Sequence, residues 1–299
     1  MKDLKNAKGS SAIPLTPFLE NGDVDFTVLE KEIDWICNQK VGSICGPVNV
    51  SEFMVLTMDE RKQFIKTMAD VTNGRTAIIA SVSAPNIKDA VMYTEFSEKC
   101  GVDAIIAMPP YVGDLNFDGV KEYFKAISSA TSLPIMIQNQ AFHNISISED
   151  ELVELCNMKD NISWIKQEVE PTAQLSVERL KQKCTPAVTG YMSGVSGTYS
   201  LQDYDNGAIA TIHACEYCDL IQRLWDLLDS GKRAEAEELH AKMLPALILE
   251  GVYGWQYAKI IMEKRGIFKN YITRNKTNVI TSESMRHIES TWAQIEKLI

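Results

Sequence analysis

No uninterrupted apolar run approaches the ~20 residues that a helix needs to cross a bilayer, so no membrane partner is expected. The opening segment, MKDLKNAKGS, holds no apolar signal-peptide core, and a cytoplasmic location is expected. Basic clusters reach only two residues, as in Lys264-Arg265, and the formal net charge is −10. A phosphate backbone is therefore not expected as a partner, and no nucleic acid is implied. No GxGxxG follows any apolar run, which disfavours a dinucleotide-binding fold. A single CxxC occurs, Cys215-Glu216-Tyr217-Cys218, with His213 just upstream. A structural zinc site needs a second ligand pair at a defined spacing, so no metal is expected. The seven cysteines, odd in number and scattered, suit reduced thiols. Internal repeats, low-complexity segments and long linkers are also missing.

What is present is regular. The chain has 299 residues, 45% of them hydrophobic and 23% charged, an ordinary balance for a globular protein with a large core. Short apolar runs occur at residues 12–18, 42–48, 76–82, 103–108, 133–137, 163–166, 187–190 and 208–213. Most are continuous stretches of β-branched or small residues, the pattern of parallel strands buried on both faces. Amphipathic helices lie between them. Asp25 can cap a helix whose Phe26, Leu29, Ile33 and Ile36 share one face. Thr57-Met58-Asp59-Glu60 is a capping box ahead of Phe64, Met68 and Val71, and Gly74 closes that helix. Further helical patterns span 86–100, 117–130, 148–157 and 171–181. Eight strand-then-helix units predict an α/β fold of the (β/α)8 TIM-barrel type over residues 1–229. Helices at 218–228, 233–243 and 255–264 follow the last strand. The first closes the barrel, and residues 230–299 form a small C-terminal helical extension.

Barrel chemistry sits at the C-terminal ends of the strands. Lys166 ends the sixth run, in Trp164-Ile165-Lys166-Gln167-Glu168. An amine buried at such a strand end is favoured in its neutral, nucleophilic form. The plainer reading is a lysine that reaches solvent or pairs with a glutamate, and pattern alone leaves both open.

Six short motifs, in order, bear on that choice. They are Pro14-Leu15-Thr16-Pro17-Phe18 with Asp23-Val24-Asp25; Gly46 through Glu52 with Leu56-Thr57 and Glu60-Arg61; Pro109-Pro110-Tyr111; Leu133-Pro134-Ile135 with Asn139; Ile165-Lys166; and Gly207-Ala208. Together they resemble the dihydrodipicolinate synthase and N-acetylneuraminate lyase family of class I, Schiff-base 2-keto-acid enzymes, over nearly the whole chain. The resemblance implies that Lys166 forms a covalent imine with a small 2-keto acid, that no cofactor is required, and that the protein is a homo-oligomer, a tetramer.

The departures from the family pattern are informative. The carboxylate-binding loop reads Val48-Asn49-Val50-Ser51-Glu52, with Asn49 and Val50 where threonines are usual. Backbone N–H groups of Val50 and Ser51 are expected to hold the substrate carboxylate, with the Ser51 hydroxyl nearby. Gln138 replaces the proton-relay tyrosine, Val112 replaces a second aromatic, and His143 stands where an arginine is usual. A glutamine is neither acid nor base near neutral pH. Glu168, two residues beyond Lys166 and on the same strand face, is the candidate proton carrier; the alternative is a simple ion pair. Lys166 through Pro171, with Ile137-Gln138 and Asn49 through Glu52, resembles the branch of 2-keto-3-deoxy sugar acid dehydratases, L-2-keto-3-deoxyarabonate dehydratase among them.

Tyr111 and Tyr191 are candidate substrate contacts, Tyr191 with Gly190 at the end of the seventh strand. Trp255 and Tyr257 read as core residues; His213, at the end of the eighth strand, reads as a satisfied core histidine, with polar lining of the pocket as the alternative. The expected reaction is dehydration of a 2-keto-3-deoxy sugar acid. The alternatives are retro-aldol cleavage, as in N-acetylneuraminate lyase or a 2-keto-3-deoxy sugar acid aldolase; a dihydrodipicolinate synthase-like condensation; and, of another class, a non-catalytic sugar-acid-binding barrel.

Overall fold

The computed structural model describes residues 2–113, 115–140, 147–169, 180, 182–183, 188–274 and 280–299. Eight parallel strands close into a barrel: β1 Gly9–Ile13, β2 Ser43–Gly46, β3 Ala77–Ser81, β4 Ala104–Ala107, β5 Ile135–Asn139, β6 Ile162–Gln167, β7 Gly190–Ser193 and β8 Ala210–Ala214. Closure runs through the pairing of β1 with β8, from Gly9 opposite Ala210 to Ile13 opposite Ala214. Between the strands lie α1 Phe26–Asn38, α2 Met58–Thr72, α3 Ile87–Lys99, α4 Phe117–Ser129, α5 Glu149–Met158 and α6 Ser200–Asp205. The expected helix over 171–181 lies almost wholly outside the described residues.

The helices start where the sequence places its caps. Asp25 accepts from the Val28 N–H, and Thr57 and Glu60 form the reciprocal box of α2. Every strand is buried along its whole length, because side chains face either the helical layer or the barrel interior. Ile44, Ile78, Ile105, Ile137 and Ile165 pack outward against the helices. Cys45, Ile79, Ile106, Met136, Trp164 and Met192 fill the interior. Gly190 makes room for this filling, since a Cβ there would stand 2.4 Å from the Trp164 ring.

Two strands are displaced from their apolar runs. β1 is Gly9–Ile13, and Leu15, Thr16 and Phe18 of the predicted run are buried in the connection that follows it. β7 begins at Gly190 rather than ending there. The chain after β8 also differs from expectation. α7 Cys218–Asp229 packs on β1, α8 Arg233–Tyr253 extends ten residues past its predicted end with Pro245 inside it, and α9 Trp255–Lys264 follows. A fourth helix, α10 Ser282–Ile295, was not expected. Leu224, Trp225, Leu239, Met243, Leu247 and Ile261 form one apolar cluster joining these helices. They reach the barrel top through a buried ion pair: the Lys259 ammonium of α9 donates to Glu52 and, at 2.8 Å, to the Ile272 carbonyl.

Candidate active site

Register decides which side chains meet. Gln138 of β5, Lys166 of β6 and Met192 of β7 stand side by side in one layer. Alternation along each strand points this layer into the barrel, and the neighbouring layer of Ile137, Ile165 and Tyr191 away from it. Lys166 lies above Trp164 and Met136, so its stem rests on apolar interior and its amine emerges at the C-terminal mouth.

Glu168 follows β6, held by its own N–H bond to the Asn139 carbonyl at 2.9 Å. Its carboxylate meets the Lys166 amine at 2.9 Å, with the two side chains only 8% and 4% exposed. The Gln138 amide donates to the other Glu168 oxygen at 2.8 Å, and the Val195 N–H points at the first at 3.4 Å. Gln140 Oε1 accepts from Gln138 at 3.3 Å and from Asn49 Nδ2 at 2.9 Å. One polar chain thus links the loop after β2 to the amine.

The loop after β7, Gly194-Val195-Ser196-Gly197, presses on this carboxylate. A Cβ on Gly194 would lie 2.0 Å from Glu168 Oε1, so the position admits only glycine without displacing the acid. Val195 and Ser196 both hold left-handed φ, 52° and 55°. This is costly for a β-branched residue, and such strain concentrates at functional sites.

A cavity of about 210 Å³ opens over the amine. Lys166, Glu168, Gln138 and Gln140 line it on one side, with Asn49 and Val50, Val195 and Ser196, and His213, Glu250 and Trp255 among the other lining residues. Pockets for drug-sized ligands are typically ~300–1,000 Å³, so this one suits a small acid.

Of the residues singled out by sequence, Lys166, Glu168, Gln138, Asn49 and Val50 converge here. Three do not line the cavity. The Ser51 hydroxyl is fully buried, donates to the Pro14 carbonyl at 2.6 Å and accepts from the Val48 N–H at 3.3 Å; its amide donates to the Val48 carbonyl at 2.9 Å. Ser51 therefore holds the loop in shape and leaves the Val50 amide as the loop's candidate donor. Tyr191 belongs to the outward layer, among the helices, because β7 starts at Gly190 and sets its parity. Tyr111 packs edge-on against Phe53, with ring centroids 5.5 Å apart, and burial pushes its phenol up. Val112 is 60% exposed, and His143 lies outside the described residues.

Gln140, Ser196 and Glu250 were missed in the sequence, Trp255 was read as core only, and His213 was left between core and pocket lining. His213 is both core and lining. Its Nδ1–H donates to the Ala214 carbonyl at 2.7 Å, so Nε2 accepts from the Ser10 hydroxyl at 2.8 Å. Burial, with the Lys166 charge opposing protonation, pulls it down to about 4, and it is neutral at the mouth. Tyr257 is core, as expected, sharing a hydroxyl–hydroxyl bond of 2.7 Å with Tyr217. For the glycine-flanked turn after β7, two glycines three apart were the available signal. Glu250 gave none, since it sits in the last turn of a helix beyond the barrel. The CxxC residues Cys215 and Cys218 are buried, and no cluster of metal-ligating side chains occurs among the described residues.

A family model described as the dihydrodipicolinate synthetase family matches residues 6–294. The 4-hydroxy-tetrahydrodipicolinate synthase of Clostridium novyi (strain NT) is 28% identical over 243 residues, covering 80% of each chain. That of Mesorhizobium japonicum is 26% identical over 295 residues, covering 97% of this chain and 96% of its own. Among solved structures, the 4-hydroxy-tetrahydrodipicolinate synthase of Methylacidiphilum fumariolicum SolV superposes with a TM-score of 0.89 at 21% identity, over 97% of this chain and 96% of its own. CdNal from Clostridium difficile, in complex with mannosamine, superposes with a TM-score of 0.86 at 21% identity, over 96% of this chain and 98% of its own. At that identity the structural likeness speaks for the barrel alone.

Proposed function

The chain belongs to the dihydrodipicolinate synthetase family, whose members are Schiff-base lyases, and from that premise we propose that it dehydrates a small 2-keto-3-deoxy sugar acid through an imine on Lys166. The observation that carries this reading is the contact of Lys166 with Glu168, backed by Gln138. A non-titrating amide occupies the relay position, and a carboxylate touches the amine instead.

The steps follow from that geometry. Glu168 takes a proton from the Lys166 ammonium, freeing the amine to attack the C2 ketone. Glu168 returns that proton to the carbinolamine hydroxyl, which leaves as water and gives an iminium that acidifies C3. Glu168 removes a C3 proton, and the electrons form an enamine. Return of the enamine electrons through C2–C3 forms the C3–C4 double bond and expels the C4 hydroxyl as water. Hydrolysis of the conjugated iminium releases the unsaturated 2-keto acid, which can tautomerise to a semialdehyde, and restores Lys166. Asn49, the Val50 amide and Gln138 orient the carboxylate and hydroxyls. The lysine serves as the electron sink, so this sequence calls for no metal or organic cofactor. Assembly into a homotetramer and a cytoplasmic location belong to the same proposal; no described helix is long and apolar enough to cross a membrane.

The second reading is the condensation named for the curated relatives, or the reverse aldol cleavage. Both share the imine but use a titrating relay group where this chain has Gln138. A panel of 2-keto-3-deoxy acids separates the readings. Release of an unsaturated acid or semialdehyde without a second fragment is expected. Pyruvate plus an aldehyde would overturn the dehydratase assignment.

A further inference from the structure

Water elimination has two proton duties on adjacent carbons, and Glu168 performs only one of them. Removal of the C3 proton falls to Glu168. The C4 hydroxyl leaves poorly unless it receives a proton as its bond breaks.

A second carboxyl lines the same cavity. Glu250 reaches it from the last turn of α8, 8% exposed. Its side chain is hydrogen-bonded to the Ser196 hydroxyl and to Glu216, which sits 1% exposed in the turn after β8. Glu216 Oε2 meets no N–H or O–H donor among the described residues. Two buried carboxyls in contact, one with an orphaned oxygen, are satisfied by a proton held between them; both cannot be ionised together. The last turn of a helix, where the dipole is negative, also disfavours a carboxylate there. Burial pushes both groups up, with the neighbouring carboxyl adding to the shift on Glu216. The charged and titratable groups facing the pair are Lys166 of β6 and Glu168 just past it, Arg265 just past α9, Tyr257 within α9, and Cys215, Tyr217 and Cys218 beside Glu216 after β8.

We infer, resting on the dehydratase reading, that Glu250 is the acid that gives its proton to the departing C4 hydroxyl, with Glu216 as the positioning residue that holds that proton in place. The two carboxyls in the cavity thereby divide the work. Glu168 is ion-paired with the amine and accepts a proton from C3. Glu250 is protonated and donates. As the enamine electrons form the C3–C4 bond, the C4–O bond breaks, its electron pair takes the Glu250 proton, and water departs. One proton is gained by Glu168 and one lost by Glu250; its return from Glu168 to Glu250 through cavity water resets both carboxyls, so the turnover balances at the loss of one water. The C-terminal helices are then part of the catalytic machinery, since both Glu250 and Trp255 come from them.

The test uses Glu250→Gln and Glu216→Gln in the full chain, with three readouts. Borohydride trapping of pyruvate and deuterium exchange at pyruvate C3 report the imine, Glu168 and an intact fold. Water loss from a 2-keto-3-deoxy acid reports the acid. In E250Q, trapping and exchange are expected within about threefold of wild type, whereas water loss falls by about 100-fold or more, the usual contribution of a positioned acid. In E216Q, the alkaline limb of kcat for water loss is expected to move to lower pH by about one unit, because the lost carboxyl no longer holds the proton. Water loss by E250Q at the wild-type rate, or an unmoved limb in E216Q, overturns the assignment while the dehydratase reading stands. If E250Q traps no pyruvate, the limb in E216Q decides alone. A wild type that releases no dehydrated product overturns both.

Discussion

At the scale of residues, the site depends on how Glu168 is held. It accepts from the Lys166 amine, the Gln138 amide and the Val195 N–H, and Gly194 abuts it with no room for a Cβ. Gly194→Ala is expected to push the carboxylate off the amine and lower kcat by about 10²-fold, the scale of a ~1 Å misplacement, with little loss of pyruvate affinity. Steady-state kinetics and pyruvate trapping check it. Glu168→Gln keeps the shape and removes the base, so deuterium exchange at pyruvate C3 is expected to slow by about 10²–10⁴. Exchange at the wild-type rate in that variant would assign Glu168 to ion pairing only. Lys166 and Glu168 were legible in the sequence because period two is a local rule and needs only the strand. Tyr191 was singled out by its place at the end of an apolar run, a cue that does not say which face it takes; pairing with Ile165 turns it outward. Its face depends on where β7 starts, and the apolar run 187–190 ends where the strand begins.

At the scale of elements, the α-and-β alternation was legible because each unit carries its own caps and apolar stretch. The C-terminal helices were harder to read. α8 runs on past its predicted end at residue 243 through Pro245, and only Ile288 and Ile295 of α10 are fully buried, too few to mark an apolar stripe. An apolar cluster joins these helices to one another, and their tie to the loop after β2 is polar and nonlocal. The loop holding Asn49 and Val50 continues into Glu52, whose carboxylate pairs with Lys259 of α9 and accepts from the Arg274 N–H at 3.0 Å. Both side chains of the pair are wholly buried. Removing one partner strands the other without water, at a cost of about 3–5 kcal/mol, whereas replacing both with apolar residues costs far less. Urea unfolding of Glu52→Gln is thus expected to show a loss of that size, with Glu52→Leu/Lys259→Met recovering most of it. Equal losses in the single and double variants would contradict this account of how the extension is tied to the loop.

At the scale of the whole molecule, two buried groups give stability opposite slopes with pH. Glu32 bonds the Leu15 N–H at 2.8 Å and the Cys215 thiol at 3.0 Å, and burial pushes it up from 4.5 to about 8. The native state holds its proton where the unfolded chain has lost it. Its contribution is therefore present at low pH and declines as pH rises from about 4.5 to about 8. His213, pulled down from 6.5 to about 4, works the other way, and its contribution is lost as pH falls through that window. Glu32→Gln keeps the accepting oxygen and removes the titration. Its Tm is expected to gain on wild type progressively between pH 5 and pH 8; a constant difference would place the shift elsewhere.

In this proposal one barrel, its mouth lined by C-terminal helices, turns a lysine imine toward loss of water. The most direct measurement is the mass of the Lys166 peptide after borohydride reduction with a 2-keto-3-deoxy sugar acid present. The account predicts an adduct on Lys166 that lacks the elements of one water relative to the intact reduced substrate adduct. A pyruvate adduct alone, or an unmodified Lys166 with the adduct elsewhere, would contradict it.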